Sequence, residues 1–326
     1  MQLESVARKE TTMEGPRHQK YERLIEAAKQ AAPPVTAVAH PCDQNSLEGA
    51  IDAARLGLIS PVLVGPTAKM WSVAAALGLD LAPYALVEAA DDHAAAAAAV
   101  ELVRAGKAEV LMKGSLHTDV LLGAVLKHDS GMRTSRRLSH CFIMDVPGHE
   151  DPLIITDAAV NIAPTLEEKV DILQNAIDLG HALHFPEVRV AILSAVETIN
   201  PKIPTTIEAA ALCKMAERGQ ITGAVLDGPL ALDNAISPEA AAIKNIRSPA
   251  AGRANLILVP DLEAGNMLAK SLTFLSGADA AGIVLGARVP IILTSRADTV
   301  QARLASCAVA TLVAGHRRSD ARHAVA

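Results

Sequence analysis

The chain has 326 residues, 50% of them hydrophobic and only 2% aromatic. That size predicts two domains, with cores built from Ala, Val, Leu and Ile. A formal net charge of −6 leaves no cationic surplus for a nucleic-acid footprint, which excludes that class of partner. Apolar runs such as Ile283-Val284-Leu285 fall far short of the ~20 residues of a membrane span. The polar opening MQLESVARKETTMEG lacks the apolar stretch of a signal peptide. A mean hydropathy of +0.26 with these patterns predicts a soluble, cytoplasmic protein without a membrane partner.

In chain order, residues 1–20 read as a loose arm. Val35–His40 then reads as a strand and Ser46–Leu56 as the helix after it. Val62–Gly65 is the next strand, closed by a Gly-Pro turn. Asp91-Asp92-His93 followed by alanines opens a helix with an acidic N-terminus. Further strands are predicted at Glu109–Lys113, His140–Val146, Leu153–Thr156, Val188–Ser194, Ala224–Leu226, Asn255–Val259 and Gly282–Leu285. Helices such as Leu166–Leu179 and Thr206–Glu217 lie between them, and Gly315–Ala326 reads as a polar tail. Repeated strand–helix alternation defines an α/β fold with largely parallel sheets. In such sheets ligands bind at the carboxyl ends of strands. Here those ends run into polar loops at Lys113-Gly114-Ser115, Asp157, Asp227-Gly228-Pro229, Asp261–Asn266 and Thr294–Asp298.

Standard catalytic signatures are absent: no Gly-x-Ser-x-Gly, no Walker A loop, no Gly-x-Gly-x-x-Gly and no His-Glu-x-x-His occurs. Cys42, Cys141, Cys213 and Cys307 are scattered without metal-ligand spacing. They read as reduced thiols, and no metal site is expected. Ser295-Arg296 follows an apolar strand and precedes a helix start. One reading is a capped turn with Asp298 as N-cap. The other presents a hydroxyl and a fixed cation together to an anionic ligand. Arg133 with Arg136-Arg137 reads as a solvated loop or a phosphate site. Asn266 and Lys270, four apart on one helix, either face a common cleft or form a surface pair. Asp157 reads as a helix cap.

Together these strings carry a resemblance. Leu111-Met112-Lys113-Gly114, Thr156–Pro164, Ala195–Lys202, Asp227–Ala235, Pro260–Asn266 and Pro290–Asp298 resemble, in order, the phosphate acetyl/butyryltransferase family from about Val35 to Val313. The resemblance implies two α/β/α domains with a cleft between them, similar to the isocitrate and isopropylmalate dehydrogenases. Domain I would be residues 1–148 plus 286–326 and domain II residues 149–285. It implies transfer of an acyl group between acyl-CoA and inorganic phosphate, with coenzyme A as substrate, no tightly bound cofactor, and a homodimer or larger homo-oligomer. Carried over residue by residue, Ser295 would contact the CoA sulfur, and Arg296 would stabilise the oxyanion or the phosphate. Lys113, Arg133, Ser139, Asp157, Asn161, Asn234, Asn266 and Lys270 would bind substrate.

Two departures from the family pattern stand out. Acetyl-specific members carry an Asp seven positions after the serine, as base for the CoA thiol, where this chain has Ala302. They also carry an arginine where this chain reads Thr118–Gly123; Arg133 is the candidate substitute. Asp298 is the nearest carboxylate and the candidate replacement base. The Ser-Arg-Ala-Asp form resembles the butyryltransferase branch and a bacterial acetyl-type group, which favours acetyl with butyryl as the alternative. Two rival readings belong to other classes. One is an NAD-dependent dehydrogenase of the same fold, which would need paired aspartates that the sequence lacks. The other is an inactive binding protein.

Overall fold

A computed structural model describes residues 19–294 and 298–323. Among the described residues, eleven strands form one continuous sheet. In chain order they are β1 Val35–Ala39, β2 Ser60–Gly65, β3 Ala85–Glu88, β4 Val110–Lys113, β5 Ser139–Asp145 and β6 Leu153–Thr156. They continue as β7 Arg189–Leu193, β8 Val225–Leu230, β9 Leu256–Leu258, β10 Asp279–Leu285 and β11 Ile291–Ile292. The order across the sheet is β3-β2-β1-β4-β11-β10-β5-β6-β9-β7-β8. Pairing is parallel except where β10 meets β11 and β5, and where β5 meets β6. The predicted α/β architecture is therefore what the chain adopts.

The reason lies in the strand sequences. β4, β6 and β9 are buried along their whole length, as continuous aliphatic runs covered on both faces by helices must be. On one face lie the helices Gln19–Lys29, Gln44–Arg55, Leu166–Ala182 and Val300–His323; Asp92–Arg104 and Thr118–Leu126 cover the other. Asp91 caps its helix as predicted, accepting from Ala94 N at 2.8 Å. Gly228-Pro229, expected to follow a strand, instead lies inside β8. That strand is at the sheet edge, where a missing N–H costs no ladder bond.

Two sequence expectations change. The predicted polar tail is helical as far as His323. Its arginines are anchored: Arg318 meets Glu109 at 2.9 Å and Ala32 O at 2.7 Å, and Arg317 reaches Arg288 O at 2.9 Å. Of the predicted loose arm, Gln19 and Lys20 already belong to the first helix, and residues 1–18 lie outside the described residues. The first helix is pinned by a buried Lys20–Asp145 pair at 2.8 Å. Beside it the Tyr21 hydroxyl accepts from Ala281 N at 2.6 Å and lies 2.5 Å from Ile143 O.

Candidate active site

Register brings the site together. Met112 pairs with Ile292, Ile292 with Ile283, and Ile283 with Cys141. One step along this row places Lys113, Leu293, Gly282 and the His140–Phe142 stretch on neighbouring strands. Of these, Lys113, Leu293, His140 and Phe142 line a cavity of about 580 Å³, together with His117, Ala159, Asn266, Lys270, Phe274, Asp279, Thr294, Asp298 and Ala302. The predicted carboxyl-end location holds for β4 and β11, whose ends supply Lys113 and Thr294.

Each wall has a local cause. At the end of β4 the chain turns against the end of β1, where Gly114 N and Ser115 N donate to Ala39 O and His40 O, both at 2.9 Å. A Cβ at position 114 would meet Ala39 O at 2.4 Å, so only glycine permits this approach. Lys113 is buried, and its Nζ donates to the carbonyls of Gly114 and Thr294, each at 3.4 Å. Asn266 and Lys270 face the cavity from the helix Leu262–Ser276, whose N-cap Asp261 accepts from Ala264 N at 2.8 Å. The common-cleft reading of this pair is the one observed.

Asp298 lines the cavity too, but it is not the cap of the last helix. Thr299 fills that position, its Oγ1 accepting from Ala302 N at 3.1 Å and its carbonyl from Arg303 N at 3.1 Å. Ser295 and Arg296 lie outside the described residues.

The other expected substrate ligands sit elsewhere. Asp157 is buried, and its carboxylate accepts from the backbone N–H groups of His140, Ala159, Val160 and Asn161 and from Asn161 Nδ2 at 2.6 Å. It therefore organises the loop that carries Ala159 and caps no helix, because the next one starts at Leu166 with Thr165 as its N-cap; the helix-cap reading is corrected. Asn161 also accepts from Arg137 Nε at 2.5 Å. Ser139 is wholly buried against Asn175, 2.9 Å away. Asn234 is wholly buried in the short helix Leu232–Ile236, 3.5 Å from Glu197. Arg133 lines a second cavity, also about 580 Å³, with Arg136, Arg137, Asn161 and Asp171. It does not substitute, in place, for an arginine at the Lys113 cavity.

Sequence reasoning missed His140. It is 1% exposed and lines the Lys113 cavity, with its ring edge-on to Phe142 at 4.4 Å. Burial pushes its pKa down to about 4, with Asp157 opposing, so the imidazole is neutral near pH 7. A histidine inside an apolar strand resembles core; the signal was a polar ring opposite a glycine strand. The cysteines behave as expected of buried thiols, with burial pushing Cys141 and Cys307 up to about 12.

An α/β sheet with a mixed cationic and apolar cavity at its strand ends fits an enzyme acting on a long anionic substrate. The phosphate acetyl/butaryl transferase family pattern matches residues 88–311. A phosphate acetyltransferase of Rhizobium meliloti is 66% identical over 92% of this chain and 95% of its own. A phosphate butyryltransferase of Clostridium acetobutylicum is 40% identical over 91% and 99%. Among solved structures, a branched-chain phosphotransacylase from Enterococcus faecalis superposes with a TM-score of 0.74 at 29% identity, covering 86% of this chain and 98% of its own. A 4-hydroxythreonine-4-phosphate dehydrogenase from Klebsiella pneumoniae shares the fold at a TM-score of 0.50 and 11% identity, over 86% and 99%. The chain belongs to the phosphate acetyl/butaryl transferase family.

Proposed function

We propose that the chain converts acetyl-CoA and inorganic phosphate into acetyl phosphate and free CoA by direct attack in a ternary complex. The observation that carries this reading is the 66% identity with a phosphate acetyltransferase across 92% of the chain. In the reaction a phosphate oxygen bonds to the acyl carbon, the carbon–sulfur pair leaves with sulfur, and CoA departs as thiolate or thiol. No acyl-enzyme forms. Lys113, Asn266 and Lys270 hold the anionic substrates, since charge-assisted hydrogen bonds position phosphate beside the carbonyl. Arg296 stabilises the charge that develops in the transition state and Ser295 contacts the sulfur. Asp298 takes the thiol proton in the reverse direction, a role eased by Thr299 doing the capping. Arg133, exposed beside the second cavity, attracts the phosphates of CoA.

The same likeness supports a cytoplasmic homodimer with no tightly bound cofactor and CoA as substrate. No helix among the described residues is long and apolar enough to cross a membrane. The division into residues 1–148 plus 286–326 and 149–285 draws support from strand order: β1 to β4 and β11 lie on one side and β6 to β9 on the other, with β10 and β5 interleaved at the seam. The alternative, a longer acyl chain, is favoured by the 40% identity with a butyryltransferase. Thiol release from straight-chain acyl-CoAs, acetyl to hexanoyl, with phosphate or arsenate, separates the two. Acetyl-CoA is expected to give the highest kcat/KM, and a butyryl optimum would transfer the assignment to the alternative.

A further inference from the structure

We propose that Arg303 is a positioning residue of the acyltransferase site, holding the backbone carbonyl of Asp298 and, through it, the carboxylate that takes the proton of the CoA thiol. This deepens the acyltransferase reading above and rests on it.

The first observation is where the charge lies. Arg303 is 6% exposed, it forms no ion pair among the described residues, and its Nε has no hydrogen-bond partner there. Its guanidinium donates from Nη1 to Asp298 O at 2.7 Å. Arg303 is also the fourth residue of the helix Val300–His323, within the first turn, where the helix dipole disfavours a cation. Taking a guanidinium out of water without a carboxylate is costly. An apolar side chain of similar length would cost the fold less, so an arginine here calls for a role other than stability.

The second observation is that a slot is built for it. Gly49, in the helix Gln44–Arg55, lies against the side chain: a Cβ there would stand 3.2 Å from Arg303 Cδ and 3.3 Å from Nε. The two helices follow the parallel-oriented strands β1 and β11, so both begin at the face of the sheet where Lys113 and Thr294 line the cavity. Glycine leaves the space in which Arg303 runs back toward the start of its own helix and reaches Asp298, on the cavity wall.

The helix cap shows what the bond holds. Thr299 is the N-cap: its carbonyl accepts from Arg303 N at 3.1 Å, and its Oγ1 accepts from Ala302 N at 3.1 Å and donates to Asp279 Oδ1 at 3.0 Å. Asp298 O stands one residue earlier, before the helix ladder begins, and Arg303 supplies a donor from its side chain. With Thr299 held by the helix and the Asp298 carbonyl by Arg303, the peptide between them is fixed. So is the direction in which the Asp298 side chain leaves the backbone. In the reverse reaction the sulfur pair attacks the acyl carbon, the carbon–oxygen pair leaves with phosphate, and the thiol proton passes to an Asp298 carboxylate oxygen. That transfer requires the oxygen within hydrogen-bond reach of the thiol, and a misplacement of about 1 Å costs on the order of 100-fold. Arg303 touches no reacting atom; it acts through Asp298.

The test compares full-length wild type, Arg303→Met, Arg303→Lys, Asp298→Asn and the Arg303→Met/Asp298→Asn double variant in acetyl-CoA formation from acetyl phosphate and CoA. Arg303→Met should lose about 10- to 100-fold in kcat, with both KM values within about threefold. Its Tm should be unchanged or higher, because a buried unpaired charge has been removed. Arg303→Lys, which keeps a donor for the carbonyl, should recover at least about threefold of the lost kcat. Because the two residues act in series, the double variant should match Asp298→Asn alone within about twofold. Losses that multiply in the double variant, or full activity in Arg303→Met or in Asp298→Asn, would overturn the proposal. So would a lowered Tm or a failure to fold in Arg303→Met, either of which makes the arginine part of the fold's own stability. Wild type that forms no acetyl-CoA and releases no CoA with phosphate would instead sink the transferase reading itself.

Discussion

Two cavities have the same volume, about 580 Å³, and both are lined by cationic side chains, yet those cations have different partners. At the second cavity, Arg136 meets Asp178 at 2.5 Å, and Arg137 meets Glu168 at 2.8 Å and Asn161 at 2.5 Å. These arginines fasten the loop to the helix Leu166–Ala182. At the first cavity Lys113 donates to the carbonyls of Gly114 and Thr294, Lys270 has no ion pair among the described residues, and His140 is held neutral by burial. The arginine run read from sequence as a solvated loop or a phosphate site thus has two of its three arginines tied to carboxylates. Arg136 and Arg137 thus hold structure, whereas Lys270 stands on the wall of the first cavity without an ion pair among the described residues.

Arg296 carries the largest expected effect. Arg296→Ala should cut turnover by more than about tenfold, as for other groups that stabilise transition-state charge; steady-state kinetics at saturating substrate measures it, and retained turnover would remove Arg296 from the mechanism. Lys113→Met comes next, with a loss of roughly tenfold in kcat/KM for phosphate, the size of one charge-assisted hydrogen bond. If that value is unchanged, Lys113 serves only to tie β4 to Thr294.

The neutral histidine also predicts acid sensitivity. The folded-state pKa of His140 lies at about 4, below its ordinary 6.5. Between those values the unfolded chain binds more protons, so stability rises with pH across this window and is lost as pH falls from 6.5 toward 4. Denaturant unfolding from pH 7 to 4.5 should show this limb in wild type and a flatter one in His140→Phe; parallel curves would contradict the burial argument. The smallest effects belong to the second cavity. Arg136→Ala should leave kcat within twofold and cost about 0–1 kcal/mol, as exposed ion pairs do. Arg133→Ala should raise KM for acyl-CoA a few-fold at low salt and not at high salt. A loss of kcat in either variant would break the comparison between the cavities.

How much of this was legible in the sequence depends on the range of the forces involved. Leu153–Thr156 appears with the predicted bounds because an aliphatic run closed by a polar residue is a local signal, whereas the helix expected after Asp157 does not form there. The polar tail was misread because Arg317 and Arg318 are held by residues far back in the chain. The cap of the last helix moved from Asp298 to Thr299, a shift of one residue that hydrogen-bond geometry alone decides. The site was legible as strand-end loops, but which loops converge was not. Lys113 and Thr294 are 181 positions apart, and β10 and β5 run antiparallel between flanking parallel strands. His140 was invisible because a histidine inside an apolar strand resembles core, and only the fold brings it to the cavity.

The central claim is tested most directly by incubating the purified chain with acetyl-CoA and following free thiol with and without inorganic phosphate. The account predicts CoA release that requires phosphate, is supported by arsenate, and yields acetyl phosphate in equal amount when phosphate is used. Absence of phosphate-dependent release with every acyl-CoA from acetyl to hexanoyl would contradict it.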